Sequence, residues 1–183
     1  MKAIADTGFL VAFADRRDRY HDWAVALASQ VTEPLLSCEA VLAEAAYHLR
    51  NTALVLDMVR EGLVVPALDL LQELPRLMRL AVRFAERKPD LADLCLVRLS
   101  ELHPNHSVIT VDVADFRVYR RNQRELIPLI GRPAWLDDLG PAPRTGRNTC
   151  VTGPPSRPAA AGPGPVPAAA AGPWLRSGGC ARG

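Results

Sequence analysis

Short apolar runs alternate with longer amphipathic stretches through the first 138 residues of the chain. The runs that are short and rich in aliphatic residues predict strands at residues 2–6, 35–36, 63–66, 107–111 and 126–130. The longer stretches with apolar residues at helical spacing predict helices at residues 7–14, 20–31, 39–50, 52–61, 69–87 and 91–102. Strands separated by helices predict an α/β fold with a mostly parallel central sheet, flanked by helices in three layers.

Local signals refine three of these helices. Ser37 is a suitable N-cap for the helix at 39–50, and Pro75 predicts an interruption of the helix at 69–87. The helix at 91–102 is apolar almost all round, so we expect it to be buried.

The composition changes near Asp138. Residues 141–183 hold nine of the 16 prolines and eight of the 12 glycines, with few large apolar side chains. Such a segment buries too little apolar surface to offset the entropy of ordering. We therefore predict a folded domain at 1–138 and a disordered tail at 139–183.

The charge distribution argues against a general basic coat for nucleic acid. The tail from residue 141 carries five arginines and no acid, which leaves 17 basic and 20 acidic residues before it. No apolar run approaches the roughly 20 residues that span a bilayer, and no secretory leader is recognisable. The four cysteines show no metal-ligand spacing. We expect a cytoplasmic protein without a membrane segment.

Acidic residues stand at the ends of predicted strands and at helix starts. Asp6 ends the first strand and Asp112 the strand at 107–111, and carboxyl ends of parallel strands meet at one sheet edge. Glu44 lies on the flank of the apolar stripe of its helix. Asp90 and Asp93 open the helix at 91–102, where capping explains them as well as a functional role does.

Four or more carboxylates in one crevice require a cation or protons. Two like charges 4 Å apart repel by about 4 kcal/mol at an effective dielectric near 20. Oxygen ligands of this kind suit Mg²⁺ or Mn²⁺ better than zinc. Such ions, held between carboxylates and a phosphodiester, activate water for hydrolysis.

Four segments together resemble the acidic motifs of PIN-domain ribonucleases, and most closely those of VapC-type toxins from toxin–antitoxin pairs. The segments are DTGFL at 6–10, EAVLAEAAYHL at 39–49, DLADLCLV at 90–97 and ITVDVADF at 109–116. The resemblance covers residues 1–135 approximately and implies a PIN-like fold. It implies that the catalytic and metal-binding residues are Asp6, Glu44, Asp93 and Asp112. It also implies that auxiliary positions are Thr7, Asp90, Thr110 and Asp115.

An arginine-rich segment follows the last acidic motif. Its candidate RNA-binding residues are Arg117, Arg120, Arg121 and Arg124, with Tyr119 among them as a candidate for stacking on a base. A solvated loop or helix face explains the same residues equally well.

The resemblance implies a metal-dependent endoribonuclease that acts on RNA, is blocked by a cognate antitoxin protein and forms a homodimer. Three alternatives remain open at this point. One is a stand-alone PIN nuclease of RNA processing, and another is a PIN fold that binds without catalysis. The third is a receiver-like signalling module, although such a module normally has a lysine at a late strand end and this chain has none there.

Overall fold

The computed structural model describes residues 1–133, without the side chain of Asp115. The predicted domain boundary at 138 and the predicted tail at 139–183 lie outside the described residues. None of the helices within 1–133 combines the length and the apolar character that crossing a bilayer requires.

Seven strands and seven helices follow one another in the described part of the chain. The strands are β1 (Ala3–Ala5), β2 (Leu35–Ser37), β3 (Val64–Pro66), β4 (Ser107–Thr110), β5 (Arg120–Arg121), β6 (Glu125–Leu126) and β7 (Leu129–Gly131). The helices are α1 (Thr7–Ala14), α2 (His21–Ala28), α3 (Glu39–Leu49), α4 (Thr52–Arg60), α5 (Leu70–Arg83), α6 (Leu91–Leu102) and α7 (Val113–Phe116). A 3₁₀ turn at Ala85–Arg87 separates α5 from α6.

Five of the strands form one parallel sheet in the order β3–β2–β1–β4–β7. Ala3, Ile4 and Ala5 of β1 are all buried, and successive strand residues point to opposite faces, so helices cover both faces of the sheet. The predicted α/β class with a parallel central sheet flanked by helices is therefore confirmed.

The helix α6 is an inner element of the fold. Seven of its twelve residues are buried, and it contacts β1, β2 and β4 as well as α3 and α5. The bounds predicted for it and for α1 match the structure. Its burial, predicted from its nearly all-round apolar surface, is confirmed.

Two local predictions are wrong. Ser37 lies in β2 and donates its hydroxyl to the Ala5 carbonyl at 3.0 Å, so the N-cap of α3 is Cys38. The helix α5 continues through Pro75, which stands on its exposed side. Proline there removes one backbone hydrogen bond, and the buried residues Leu77 and Leu80 hold the following turns against the core.

The late strand predicted at 126–130 is two separate strands. Leu126 belongs to β6, which forms an antiparallel hairpin with β5, whereas β7 joins the edge of the main sheet beside β4. Asn122 and Gln123 in the hairpin turn both have positive φ angles. The sequence pattern did not predict this hairpin.

Candidate functional site

Asp6 stands where β1 passes into α1, and both its carboxylate oxygens are held. It is the N-cap of α1, and the Thr7 backbone N–H donates to its Oδ1 at 2.6 Å. The hydroxyl of Thr110, at the end of β4, donates to its Oδ2 at 2.7 Å. The Asp112 backbone N–H donates in turn to that hydroxyl at 2.9 Å, so Thr110 ties the two predicted acidic positions together.

The environment of Asp6 disfavours its charge. Burial raises the pKa of Asp6 to about 6, and the negative charges of Asp93 and Glu44 act in the same direction. The hydrogen bonds from Thr110 and Thr7 lower the pKa but do not offset the burial. Asp93 and Glu44 are thus both close enough to Asp6 to oppose its ionisation.

Glu44 faces the same region from α3, which packs against α1. The Thr7 hydroxyl donates to its Oε2 at 2.8 Å, and His48 lies one helical turn on, with its Nε2 3.7 Å from Oε1. Thr7 therefore bonds Glu44 through its side chain and Asp6 through its backbone, which is an arrangement that orients two carboxylates with one residue.

Asp93 lies in the first turn of α6, and Asp90 is the N-cap of that helix. Asp90 accepts the Asp93 backbone N–H at 2.8 Å, so the predicted capping role is confirmed. The Asp93 side chain accepts a hydrogen bond from the Tyr119 hydroxyl at 3.0 Å. Capping thus occupies the carboxylate of Asp90, while Asp93 points to a different partner.

Tyr119 is an oriented, buried side chain. It is 4% exposed, and its ring makes edge contacts with Phe84 and Phe116 at centroid distances of 5.1 and 5.8 Å. A ring so enclosed is unable to stack on a base, so that prediction is wrong. Its hydroxyl instead holds Asp93, a contact that the sequence analysis missed.

All four predicted ligands line one cleft of about 500 Å³. The acidic residues along its wall are Asp6, Asp18, Glu44, Asp90, Asp93 and Asp112. Among the described residues that line it there is no lysine or arginine, and His48 is the one basic side chain. The lining is therefore mainly acidic, and the guanidinium groups of Arg19 and Arg132 stand beside it, over the ring of Tyr20, which is another lining residue.

Asp18 is the acid in this cleft that the sequence analysis did not predict. It follows α1 in a turn, where its Oδ1 accepts the Tyr20 backbone N–H at 2.7 Å. The spacing is typical of an aspartate that closes a turn, and that signal predicts the turn but not its position beside the cleft.

The donor set fits a hard divalent cation, because it consists of carboxylate and hydroxyl oxygens. As they stand, no three His, Cys, Asp or Glu side chains within residues 1–133 form a group that could hold a metal ion. The acids share the cleft without enclosing a coordination site.

Gly8 allows the start of α1 to approach the end of β4. A Cβ atom on Gly8 would collide with the Cγ2 atom of Val111, one residue before Asp112. The glycine thus has a packing role where α1 starts beside the end of β4.

The predicted RNA-binding arginines differ in their surroundings. Arg121 is 13% exposed in its side chain, and its guanidinium donates to the Ser100 and Pro104 carbonyls and pairs with Glu125. These bonds fasten the β5–β6 hairpin to the end of α6. The placement gives Arg121 a structural role and offers no support for contact with RNA.

Arg117 and Arg120 line a second cleft of about 800 Å³, together with Arg132. Arg117 is exposed, whereas Arg120 is half-buried and donates to the carbonyls of Arg117 and Tyr119. Arg124 is exposed but does not line this cleft. Val111, Asp112 and Phe116 border both clefts, so a cationic surface adjoins the acidic one.

Asp115 was predicted as an auxiliary residue, and its side chain lies outside the described part of the structure.

No protein-family model matches the sequence, and a search of curated proteins also found no match.

Replacing Tyr119 by phenylalanine removes the hydroxyl that holds Asp93 and keeps the buried ring. Loss of one hydrogen bond of this kind is expected to lower the free energy of unfolding by about 1 kcal/mol. If Asp93 is a ligand, the apparent affinity for Mn²⁺ should fall by about 10-fold, as for other residues that orient metal ligands. Calorimetric titration with Mn²⁺ measures this, and an unchanged affinity would show that the contact is only structural.

Proposed function

We propose that the chain is a Mg²⁺- or Mn²⁺-dependent endoribonuclease that hydrolyses phosphodiester bonds in RNA. One observation carries the proposal: Asp6, Glu44, Asp93 and Asp112, from four distant segments, line one cleft. These four are also the residues that the resemblance to PIN-domain ribonucleases implies.

The proposed metal ligands are these four carboxylates. A bound divalent ion would supply Lewis acidity, which activates water and offsets charge on the phosphodiester. The chain's own residues orient the acids: Thr110 and Thr7 fix Asp6, Thr7 also fixes Glu44, and Tyr119 fixes Asp93. Fixed ligand orientation before substrate binds reduces the reorganisation that the reaction requires.

The neighbouring arginine cleft supports an anionic polymer as substrate. Arg117 and Arg120 line the cleft that shares Asp112 with the acidic one, and guanidinium groups there can bind phosphates of a strand that crosses the acidic cleft. We propose these two residues and Arg124 as RNA contacts, and we leave Arg121 out.

The biological role proposed is that of a toxin in a toxin–antitoxin pair. It rests on the resemblance of the four motifs to VapC-type toxins, which also implies a cognate antitoxin, a homodimer and a cytoplasmic location. An antitoxin that covers the acidic cleft would compete with both RNA and metal.

The direct test is cleavage of total RNA by the purified full chain, with Mn²⁺ or Mg²⁺ and with EDTA. We expect internal cuts that require the metal, read by sequencing of new RNA ends. Failure to cut any RNA at millimolar Mn²⁺ would contradict the proposal, provided that the protein is folded by circular dichroism.

Replacing both Arg117 and Arg120 by alanine tests the proposed RNA contacts. Each lost phosphate contact should reduce the slope of log affinity against log salt by about 0.7 for single-stranded RNA, so the double variant should lose about 1.4. Binding is measured with EDTA present over a salt series. Arg79→Ala is the matched control, because Arg79 is exposed on α5 and lines neither cleft. If Arg79→Ala changed the salt slope by the same amount, Arg117 and Arg120 would be ordinary solvent-exposed residues without specific contacts to RNA.

A further inference from the structure

Arg132, the residue that follows β7, is held where the two clefts meet. It lines the cleft that also contains Arg117 and Arg120. Its guanidinium carbon lies 5.0 Å from the ring centroid of Tyr20, which lines the acidic cleft. Its Nε donates to the Val111 carbonyl at 2.7 Å. None of the sequence motifs includes Arg132, and the proposed hydrolysis assigns it no role.

The register of the sheet explains why Arg132 reaches this carbonyl. Gly131 pairs with Thr110 in the parallel ladder of β7 and β4, so Arg132 comes level with Val111. Because β4 ends at Thr110, the Val111 carbonyl needs a donor other than a ladder N–H. The guanidinium supplies one, and a charged donor makes a stronger hydrogen bond than a neutral one.

The backbone around Asp112 is thereby fixed on both sides. The Val111 carbonyl and the Asp112 N–H belong to one peptide group, whose oxygen accepts from Arg132 and whose N–H donates to the Thr110 hydroxyl at 2.9 Å. After Asp112, the Val113 side chain packs so closely on Gly131 that a Cβ atom on this glycine would collide with its Cγ2 atom. The end of β7 thus holds the residues before and after Asp112.

We propose that Arg132 is a positioning residue for the acidic cleft. It fixes the peptide group before Asp112 and so holds that carboxylate at the cleft. The inference rests on the proposed function, because it takes Asp112 as a metal ligand. A group that orients a ligand raises the affinity for the metal without touching the ion. This role differs from that of Arg117 and Arg120, which are proposed to bind phosphate.

Two uncharged substitutions of similar length separate the hydrogen bond of Arg132 from its charge. In Arg132→Gln, the amide nitrogen stands at the same position along the side chain as the arginine Nε, so it can still donate to the Val111 carbonyl. In Arg132→Met, a methyl group stands there and no donor remains. Both substitutions remove the positive charge over Tyr20. A difference between them therefore reports the hydrogen bond.

Calorimetric titration of the full chain with Mn²⁺ is the main measurement. We expect Arg132→Met to bind Mn²⁺ about 10-fold more weakly than Arg132→Gln, as for other residues that orient metal ligands. In EDTA, the Asp112 backbone N–H should exchange faster in Arg132→Met, because its peptide group is no longer held from the oxygen side. Amide exchange by NMR measures this without metal or RNA. Arg132→Ala takes the place of Arg132→Met if circular dichroism shows that the latter does not fold.

Three outcomes would overturn the inference. One is equal Mn²⁺ affinity in Arg132→Gln and Arg132→Met, and another is equal exchange of the Asp112 N–H in the two. The third is a salt slope of RNA binding that falls by about 0.7 in both, which would make Arg132 a phosphate contact. A parent chain that binds no Mn²⁺ would instead contradict the proposed function, and amide exchange would still decide whether Arg132 fixes the peptide group.

Discussion

Replacing Asp6 by asparagine is expected to abolish Mn²⁺-dependent RNA cleavage, with a rate lowered by at least about 100-fold, the smallest loss typical of groups that stabilise transition-state charge. Asparagine has nearly the same shape and can still accept the Thr7 N–H, but it lacks the charge that attracts a cation. Asp112→Asn should have a similar effect, since Asp112 lines the same cleft.

Asp22→Asn provides the matched control for both variants. Asp22 is exposed in the first turn of α2 and does not line the acidic cleft, so this substitution should leave cleavage unchanged. Initial rates on one defined RNA, measured at equal concentrations of folded protein, compare all four proteins. Full activity in either Asp6→Asn or Asp112→Asn would contradict the proposed metal site.

The same Asp6 substitution is expected to stabilise the metal-free protein at pH 8. Burial raises the pKa of Asp6 from its ordinary 3.8 to about 6 in the folded chain. Well below pH 3.8 the carboxyl is protonated in both states, so its contribution to stability is complete there. As the pH rises from about 4 through 6, the unfolded chain ionises before the folded chain does, and about 3 kcal/mol of stability is lost.

Asparagine does not ionise, so Asp6→Asn should be about 1–3 kcal/mol more stable than the parent at pH 8 in EDTA, with little difference at pH 4. Urea unfolding at the two pH values measures this difference, with Asp22→Asn again as control. Saturating Mn²⁺ should reverse the order, because an ion that binds only the folded parent stabilises it by mass action. Equal stability of parent and variant at both pH values would show that the folded protein does not disfavour ionisation of Asp6.

The two stability results together separate a metal site from a structural acid. Asparagine caps a helix about as well as aspartate, so the free energy of unfolding should change little if the Asp6 carboxylate serves only as a helix cap. An acid kept in a costly environment for ligand binding gains stability when its charge is removed. The sign of the change at pH 8 therefore bears on function independently of any RNA assay.

Local signals in the sequence were sufficient to predict α1 and α6. Asp6 and Asp90 are N-cap residues directly before apolar helices, and both helices begin at the next residue. The strand pattern likewise predicted the parallel sheet. Since parallel strands bring their carboxyl ends to one edge, the meeting of Asp6 and Asp112 near Thr110 followed from the fold class.

The predictions that were wrong concern residues whose positions depend on contacts with distant parts of the sequence. Ser37 has the side chain of a good N-cap, but its hydroxyl finds the Ala5 carbonyl of the neighbouring strand, 32 residues away. Tyr119 is surrounded by arginines in the sequence, yet Phe84 and Asp93 determine where it lies. In the sequence, Arg121 is indistinguishable from the arginines beside it. In the fold, its guanidinium donates to carbonyls at the end of α6, which gives it a structural role. No local pattern carries such information.

The pairing of β1 with β4 also sets the order in which the molecule matures on the ribosome. The Thr110 hydroxyl bonds the Asp6 carboxylate across 104 residues, and the sheet places β1 beside β4. A nascent chain shorter than about 112 residues therefore has no complete set of acids, however well its first helices have formed. Contacts of such long sequence separation form late in folding. A nascent chain that ends before β4 therefore lacks the hydroxyl that fixes one oxygen of Asp6, and the cleft is completed only after Asp112 has been added.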